Sequence, residues 1–208
     1  MAASSPWPTI QSEREALLHD LEHLDDAAWT TPSLCDEWTV RDVLAHLTAA
    51  AHMGTGAFFT KLIGSGFSFE KVQAKGIAAE SVGTPADLLG RFREIIPSTT
   101  HPPGPVDTWL GEALVHGEDI RRPLGIAHEY PEEALVRAAD FFKGSNLIIG
   151  TKKRITGLTL RATDTDWSTG EGPEVSGPML SLVMAMTGRK PPVDDLKGEG
   201  VDALRARD

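Results

Sequence analysis

The most informative absences in this 208-residue sequence are those of paired cysteines and of long apolar runs. Cys35 is its single cysteine, so no internal disulfide can form, and a cytosolic setting is favoured. No run reaches the roughly 18 apolar residues that a membrane-spanning helix needs. The start, MAASSPWPTI, has neither a basic segment nor an apolar one, which predicts no secretory signal. Together these absences predict a cytoplasmic protein without a membrane partner.

The sequence also lacks the long basic runs that bind anionic polymers. Its formal net charge is −10, and it contains no Lys/Arg run of the kind that marks a nucleic-acid or anionic-membrane patch. An acidic surface repels phosphate backbones, so nucleic acid is not an expected partner. We find no glycine-rich phosphate loop and no Ser-His-Asp order in the chain, which disfavours nucleotide chemistry and acyl-serine chemistry.

What the sequence does contain is a series of amphipathic helical patterns followed by a change of period. Apolar spacing and end signals predict helices at about 10–28, from Thr39 to about 62, from Pro85 to Pro97, at 106–122 and after Pro131. The stretch 64–83, rich in Gly, Ser and Lys, is expected to be a long connection, with a partly helical connection as the alternative. After Gly150, residues 158–163 alternate in a strand-like pattern, and residues 176–189 resemble a buried helix. The sequence therefore predicts a mainly α protein, with a four-helix bundle in residues 1–150 and a small α/β appendage in 151–208.

Three polar residues lie at the borders of the apolar helix faces. Glu112 and His116 are four residues apart, about 40° around one helix, so they share a face. His46 holds a similar position on the second predicted helix, and facing helices of bundles often build metal sites. Two histidines and one carboxylate would leave an open position, as in catalytic zinc sites. Asp119 follows His116 by three residues and could accept a hydrogen bond from its second ring nitrogen. Two alternatives to a metal site remain. Glu112 and His116 could form a hydrogen-bonded pair at the surface, and His46 could be a core histidine that binds no metal.

Two motifs carry a resemblance to a known family. The runs WTTPSLCDEWTVRDVLAHL (29–47) and GEALVHGEDIRRPLG (111–125) resemble the signatures of the mycothiol-dependent maleylpyruvate isomerase family, within the DinB-like group of metal-binding four-helix bundles. The tail 158–189 is similar to the C-terminal segment of many relatives. The resemblance implies a metal, zinc above all, held by His46, Glu112 and His116, and mycothiol, a sugar thiol, as cosubstrate. Arg161 and Arg189 are the candidates that the chain offers for a substrate-binding arginine.

These observations leave three functional hypotheses open. The first is a zinc-dependent thiol transferase or isomerase that uses mycothiol on a small electrophilic molecule. The others are a non-catalytic metal-binding or ligand-binding module and a zinc-dependent hydrolase. The sequence identifies neither the electrophile nor the oligomeric state, and a homodimer is one open alternative. Similar sites bind nickel, zinc and cobalt, so ligand type does not fix the metal.

The remaining candidates have simpler interpretations. Cys35 could be a redox thiol or an additional ligand, but a small half-buried residue is the default. His19 and His23 are four residues apart and could form a metal-binding pair, but a solvated face is the default for them. His52 is expected on a different face from His46. Trp38 and Trp109 could line a substrate pocket, but packing in the core is the default for both. The methionines of the buried helix are expected in the core. Arg121 and Arg122 are expected to complement the helix C-terminus.

Overall fold

The structure, a computed structural model, describes residues 4–146 and 150–207. The chain divides into two compact units, Met1–His128 and Glu129–Asp208. In its described residues, the first unit contains six α-helices: α1 (Trp7–Leu21), α2 (Val40–His52), α3 (Thr55–Ile63), α4 (Phe69–Glu80), α5 (Pro85–Ile95) and α6 (Val106–Leu124). A short 3₁₀ turn at Ala28–Thr30 precedes α2.

Helices α1, α2, α5 and α6 form the bundle of the first unit. Helix α2 packs against α5 and α6, and α1 also packs against both of them. The apolar faces predicted from the sequence meet in a core that includes Val43, Leu44, Leu88, Phe92 and Ile120. Capping boxes fix the starts of two bundle helices, Thr39 with Asp42 at α2 and Thr84 with Asp87 at α5. The prediction of a mainly helical fold with a small sheet is confirmed.

The second predicted helix, 39–62, is wrong as a single element. Helix α2 ends at His52, where Met53 is buried and Gly54 adopts an extended backbone with ψ 166°. The chain then starts α3, and no residue of α3 is buried. Apolar spacing could not reveal this break because the same spacing continues across it. The first helix also ends early, at Leu21 rather than near Ala28.

The predicted connection 64–83 contains a helix, α4, which packs on α2. Val72, Gly76 and Ile77 are its buried residues. A Cβ atom at Gly76 would lie 3.2 Å from the Cβ of Ala49, so the absence of a side chain allows the two helices to approach closely. The glycine that weakens the helical pattern in the sequence is therefore a packing residue in the structure.

The second unit combines helices with a three-stranded sheet. Its helices are α7 (Glu132–Gly144), α8 (Thr151–Ile155), α9 (Met179–Met186) and α10 (Val201–Arg205), and its strands are β1 (Thr159–Ala162), β2 (Ser168–Thr169) and β3 (Glu174–Gly177). The strand order is β2-β1-β3, with β1 antiparallel to β2 and parallel to β3. The buried helix α9 packs on α7. The second compact unit begins at Glu129, whereas the sequence places the division of the chain near residue 150. In the part of the chain that the structure describes, every helix is too short or too polar to cross a membrane.

Candidate metal centre

His46, Glu112 and His116 lie together between α2 and α6. The Nε2 atom of His46 is 2.9 Å from Oε2 of Glu112, and the Nε2 atom of His116 is 3.7 Å from the same oxygen. Both histidines are 7% exposed, so this cluster is almost removed from water. The i,i+4 spacing of Glu112 and His116 places both on one face of α6, and the packing of α2 against α6 brings His46 to that face.

The chemistry and spacing of these donors fit a zinc ion. Two ligands that each lie about 2.1 Å from a tetrahedral zinc are about 3.4 Å apart. The observed separations of 2.9 and 3.7 Å bracket this value, and the three ligand atoms lie within 4.8 Å of one another. Imidazole nitrogen and carboxylate oxygen are ligands that zinc accepts. The role of the three residues as metal ligands stays a prediction.

Asp119 occupies the position that the sequence suggests for it. Its Oδ2 atom lies 2.8 Å from Nδ1 of His116, and the residue is fully buried. When Nδ1–H donates to this carboxylate, the lone pair of Nε2 faces Glu112 and is available to a metal. Carboxylates in this position fix the tautomer and the ring orientation of a ligating histidine.

Two residues before α2 also reach this cluster. The indole of Trp38 lies 5.0 Å from the His46 ring and 6.1 Å from the His116 ring, between centroids. The ligand atom of Cys35 lies within 4.8 Å of those of His116 and Asp119. Spacing along the chain gives no signal for either contact, because both residues lie on the loop before the helix. Trp38 also packs against the core, as the sequence predicts. The sequence did not indicate that Trp38 lies beside both histidines.

The other sequence candidates lie apart from this cluster. His52 is exposed and its Nδ1 atom pairs with Glu80 at 3.1 Å, on a different face of α2. His19 and His23 are exposed, as a solvated face requires. The three methionines of α9, Met179, Met184 and Met186, are buried.

The two arginine candidates belong to the second unit. The Nε atom of Arg161 forms an exposed ion pair with Glu174 at 3.0 Å. One guanidinium nitrogen of Arg189 donates to the carbonyl of Thr187 at 3.2 Å. Substrate binding by Arg161 or Arg189 stays a prediction.

A pocket opens beside Glu112. Helix α1 lines it with Glu13, Arg14 and Leu17, and α2 contributes Leu47, Ala50 and Ala51. The remaining lining residues are Thr100, His101, Trp109, Glu112 and Ala113. Glu112 therefore belongs both to the histidine cluster and to the wall of this pocket.

The fold and this cluster define a helical-bundle protein with a candidate metal centre at the edge of a pocket. The sequence model of the mycothiol maleylpyruvate isomerase N-terminal domain matches residues 10–121, more than half of the chain. The chain therefore belongs to the mycothiol maleylpyruvate isomerase N-terminal domain family, as its motifs predict. The family takes its name from an enzyme, which supports the prediction that the chain is one.

Solved structures share this architecture. A crystal structure of the mycothiol-dependent maleylpyruvate isomerase matches with a TM-score of 0.65 and 17% sequence identity, over 93% of this chain and 91% of that chain. A histidine-to-alanine mutant of that enzyme matches with a TM-score of 0.64 and 16% identity, over the same shares, 93% and 91%. At this identity the likeness shows the fold. No curated protein matches the chain.

The contact of Asp119 with His116 leads to a testable prediction. We expect Asp119→Ala to weaken zinc binding by about 10- to 100-fold, because the ring of His116 loses the acceptor that orients it. Asp119→Asn should retain more of the affinity, because its amide oxygen can still accept the hydrogen bond. Competition with a chromogenic zinc chelator would measure both variants. Wild-type affinity in Asp119→Ala would show that the carboxylate does not support the site.

Proposed function

We propose that this protein is a zinc-dependent thiol transferase or isomerase, which uses mycothiol as cosubstrate on a small electrophilic molecule. The observation that carries the proposal is the convergence of His46, Glu112 and His116 at the wall of a pocket. Membership of a family named for a mycothiol-dependent isomerase supports the choice of thiol. The presence of a single cysteine favours the cytoplasm as the location of the protein.

The residues of the chain have separate tasks in this proposal. His46 and His116 would hold the metal through their Nε2 atoms, and Glu112 would hold it through its carboxylate while facing the pocket. A bound zinc ion supplies a Lewis acid that lowers the pKa of a thiol and so favours the nucleophilic thiolate. Asp119 keeps the His116 ring in place, and the indole of Trp38 covers the two imidazoles on one side. The low exposure of both histidines keeps bulk water away from the donors.

The reaction class follows from the fate of the thioether that forms when the thiol adds to the electrophile. Release of the thioether makes the protein an S-transferase. Rotation about the attacked bond, followed by expulsion of the thiol, makes it a cis–trans isomerase. The pocket must hold the electrophile beside Glu112 in both cases, since proximity supplies much of the rate gain.

A turnover assay tests the proposal. Zinc-loaded protein would receive mycothiol together with either monochlorobimane, a generic thiol acceptor, or maleylpyruvate. We expect turnover that requires the thiol and falls by at least about 100-fold in Glu112→Ala, because the metal contributes several kcal/mol to such steps. His52→Ala is the matched control, since His52 lies on α2 outside the cluster.

Two other outcomes would reject the proposal in different ways. Hydrolysis of a substrate by the zinc-loaded protein without any thiol would indicate a zinc-dependent hydrolase. Stoichiometric zinc without turnover of either electrophile would favour a non-catalytic binding module.

A further inference from the structure

The pocket beside Glu112 combines an apolar wall with few polar groups. Leu17, Leu47 and Ala50 supply part of the apolar wall, and Arg14 on α1 is the one lysine or arginine among its described lining residues. Pockets of this composition bind small organic molecules, and their few polar groups select and orient the ligand.

The acidic groups of this pocket already have partners within the protein. The Oε2 atom of Glu13 lies 2.8 Å from Nε2 of His128 and 4.0 Å from Nη1 of Arg121. Glu112 belongs to the histidine cluster, where its carboxylate lies beside two imidazoles. Neither carboxylate forms an ion pair with Arg14, although both line the same pocket.

Arg14 is a half-buried cation that lacks a counter-ion among the described residues. Its Nη1 atom donates to the carbonyls of Ile95, at 3.0 Å, and Ser98, at 2.9 Å. Its other two nitrogens make no hydrogen bond, and no carboxylate lies within 4.0 Å, among the residues 4–146 and 150–207. Burial lowers the pKa of Arg14 to about 10, because the charged form loses hydration. The guanidinium still carries its charge at neutral pH.

A second polar group in this pocket also lacks a partner. Trp109 lines the pocket, and its Nε1 atom is buried without a hydrogen-bond acceptor among the described residues. Buried N–H groups normally have an acceptor, because an unsatisfied group has lost its hydration without a replacement. The Nε and Nη2 atoms of Arg14 and the Nε1 atom of Trp109 are therefore donors of lining residues that lack an acceptor among the described residues.

We propose that this pocket contains a carboxylate-binding subsite in which Arg14 is the counter-ion of a small organic acid. The guanidinium fork can donate from Nε and Nη2 in parallel to the two oxygens of a carboxylate, while Nη1 stays bound to the end of α5. The apolar wall would receive the hydrocarbon stem of the acid. In the proposed enzyme, this subsite would select anionic electrophiles over neutral ones. Its role in catalysis therefore rests on the proposed function.

Calorimetric titration of zinc-free protein with crotonate and with crotonamide tests the subsite. The two probes share an unsaturated stem, and only crotonate carries a charge. We expect wild type to bind crotonate at least 10-fold more tightly than crotonamide. Arg14→Gln should weaken crotonate binding by about 10- to 100-fold, the range for a lost hydrogen bond between charged groups, and leave crotonamide unchanged.

Two further variants separate charge from structure. Arg93→Gln is the matched control, because Arg93 is an exposed arginine of α5 that pairs with Glu22 outside the pocket. It should bind crotonate as wild type does. Arg14→Lys should restore part of the affinity, since it keeps the charge but loses the planar fork. Circular dichroism melting would show that each variant is folded before it is titrated.

Several results would overturn the subsite. These are equal affinity of wild type for both probes, no binding of either probe, or equal weakening by Arg14→Gln and Arg93→Gln. Because the titrations use zinc-free protein and no thiol, they test the subsite separately from the metal. Crotonate binding without any thiol-dependent turnover would support the subsite and reject the proposed enzyme. Thiol-dependent turnover without crotonate binding would reject the subsite alone.

Discussion

His116→Ala is expected to abolish stoichiometric zinc binding, whereas the wild-type chain should bind about one zinc ion per molecule. The affinity for zinc should fall by more than about 100-fold. Loss of a residue that only orients a metal ligand lowers the affinity by at most about 100-fold, and His116 is proposed as a ligand itself. The reason is geometric, since the Nε2 atom of His116 shares the Glu112 oxygen with His46 and no other described histidine nitrogen reaches this cluster. Metal content by mass spectrometry on untagged protein would measure the effect.

The matched control for this experiment is His52→Ala. His52 lies on α2 like His46, but it is exposed and pairs with Glu80, so its removal should leave the zinc content unchanged. Wild-type protein that holds no zinc after the metal is offered and the excess removed would reject the site. Equal zinc loss in both variants would indicate binding elsewhere.

The second large effect is expected on stability, from Arg121→Ala. Arg121 is fully buried, and its Nε atom donates to Asp20 at 2.7 Å, with Glu13 at 4.0 Å from Nη1. Removal of one partner of a buried ion pair leaves an uncompensated charge, which costs about 3–5 kcal/mol. We expect about 3 kcal/mol, the lower end of that range, because Asp20 keeps 20% of its side chain exposed. Urea unfolding followed by circular dichroism would measure the free energy of unfolding.

An exposed arginine provides the comparison. Arg93 pairs with Glu22 at 2.6 Å, and their side chains are 57% and 34% exposed. Arg93→Ala should therefore cost less than about 1 kcal/mol. If the two substitutions lowered the free energy of unfolding equally, the Arg121 contacts would not stabilise the bundle as the structure suggests. The sequence offered Arg121 as a partner for the helix C-terminus, whereas the structure buries it against α1.

The sequence already contains much of the candidate site. The four-residue spacing puts Glu112 and His116 on one helix face, and the three-residue spacing puts Asp119 beside His116. Family motifs in the sequence add His46. None of these patterns states which helices are neighbours, and it is the packing of α2 on α6 that brings His46 to within 2.9 Å of Glu112.

By itself, the sequence determined the four bundle helices, the capped starts of α2 and α5 and the faces that the bundle helices bury, because apolar period and capping residues act within one or two turns. Only the tertiary structure decided the break at Gly54, the burial of Arg121 and the approach of Cys35 and Trp38 to the histidines. It also decided that Arg14 and Glu112 line one pocket. The physical reason is that these features depend on contacts between residues far apart in the chain, and a local pattern carries no information about which distant surface will cover it.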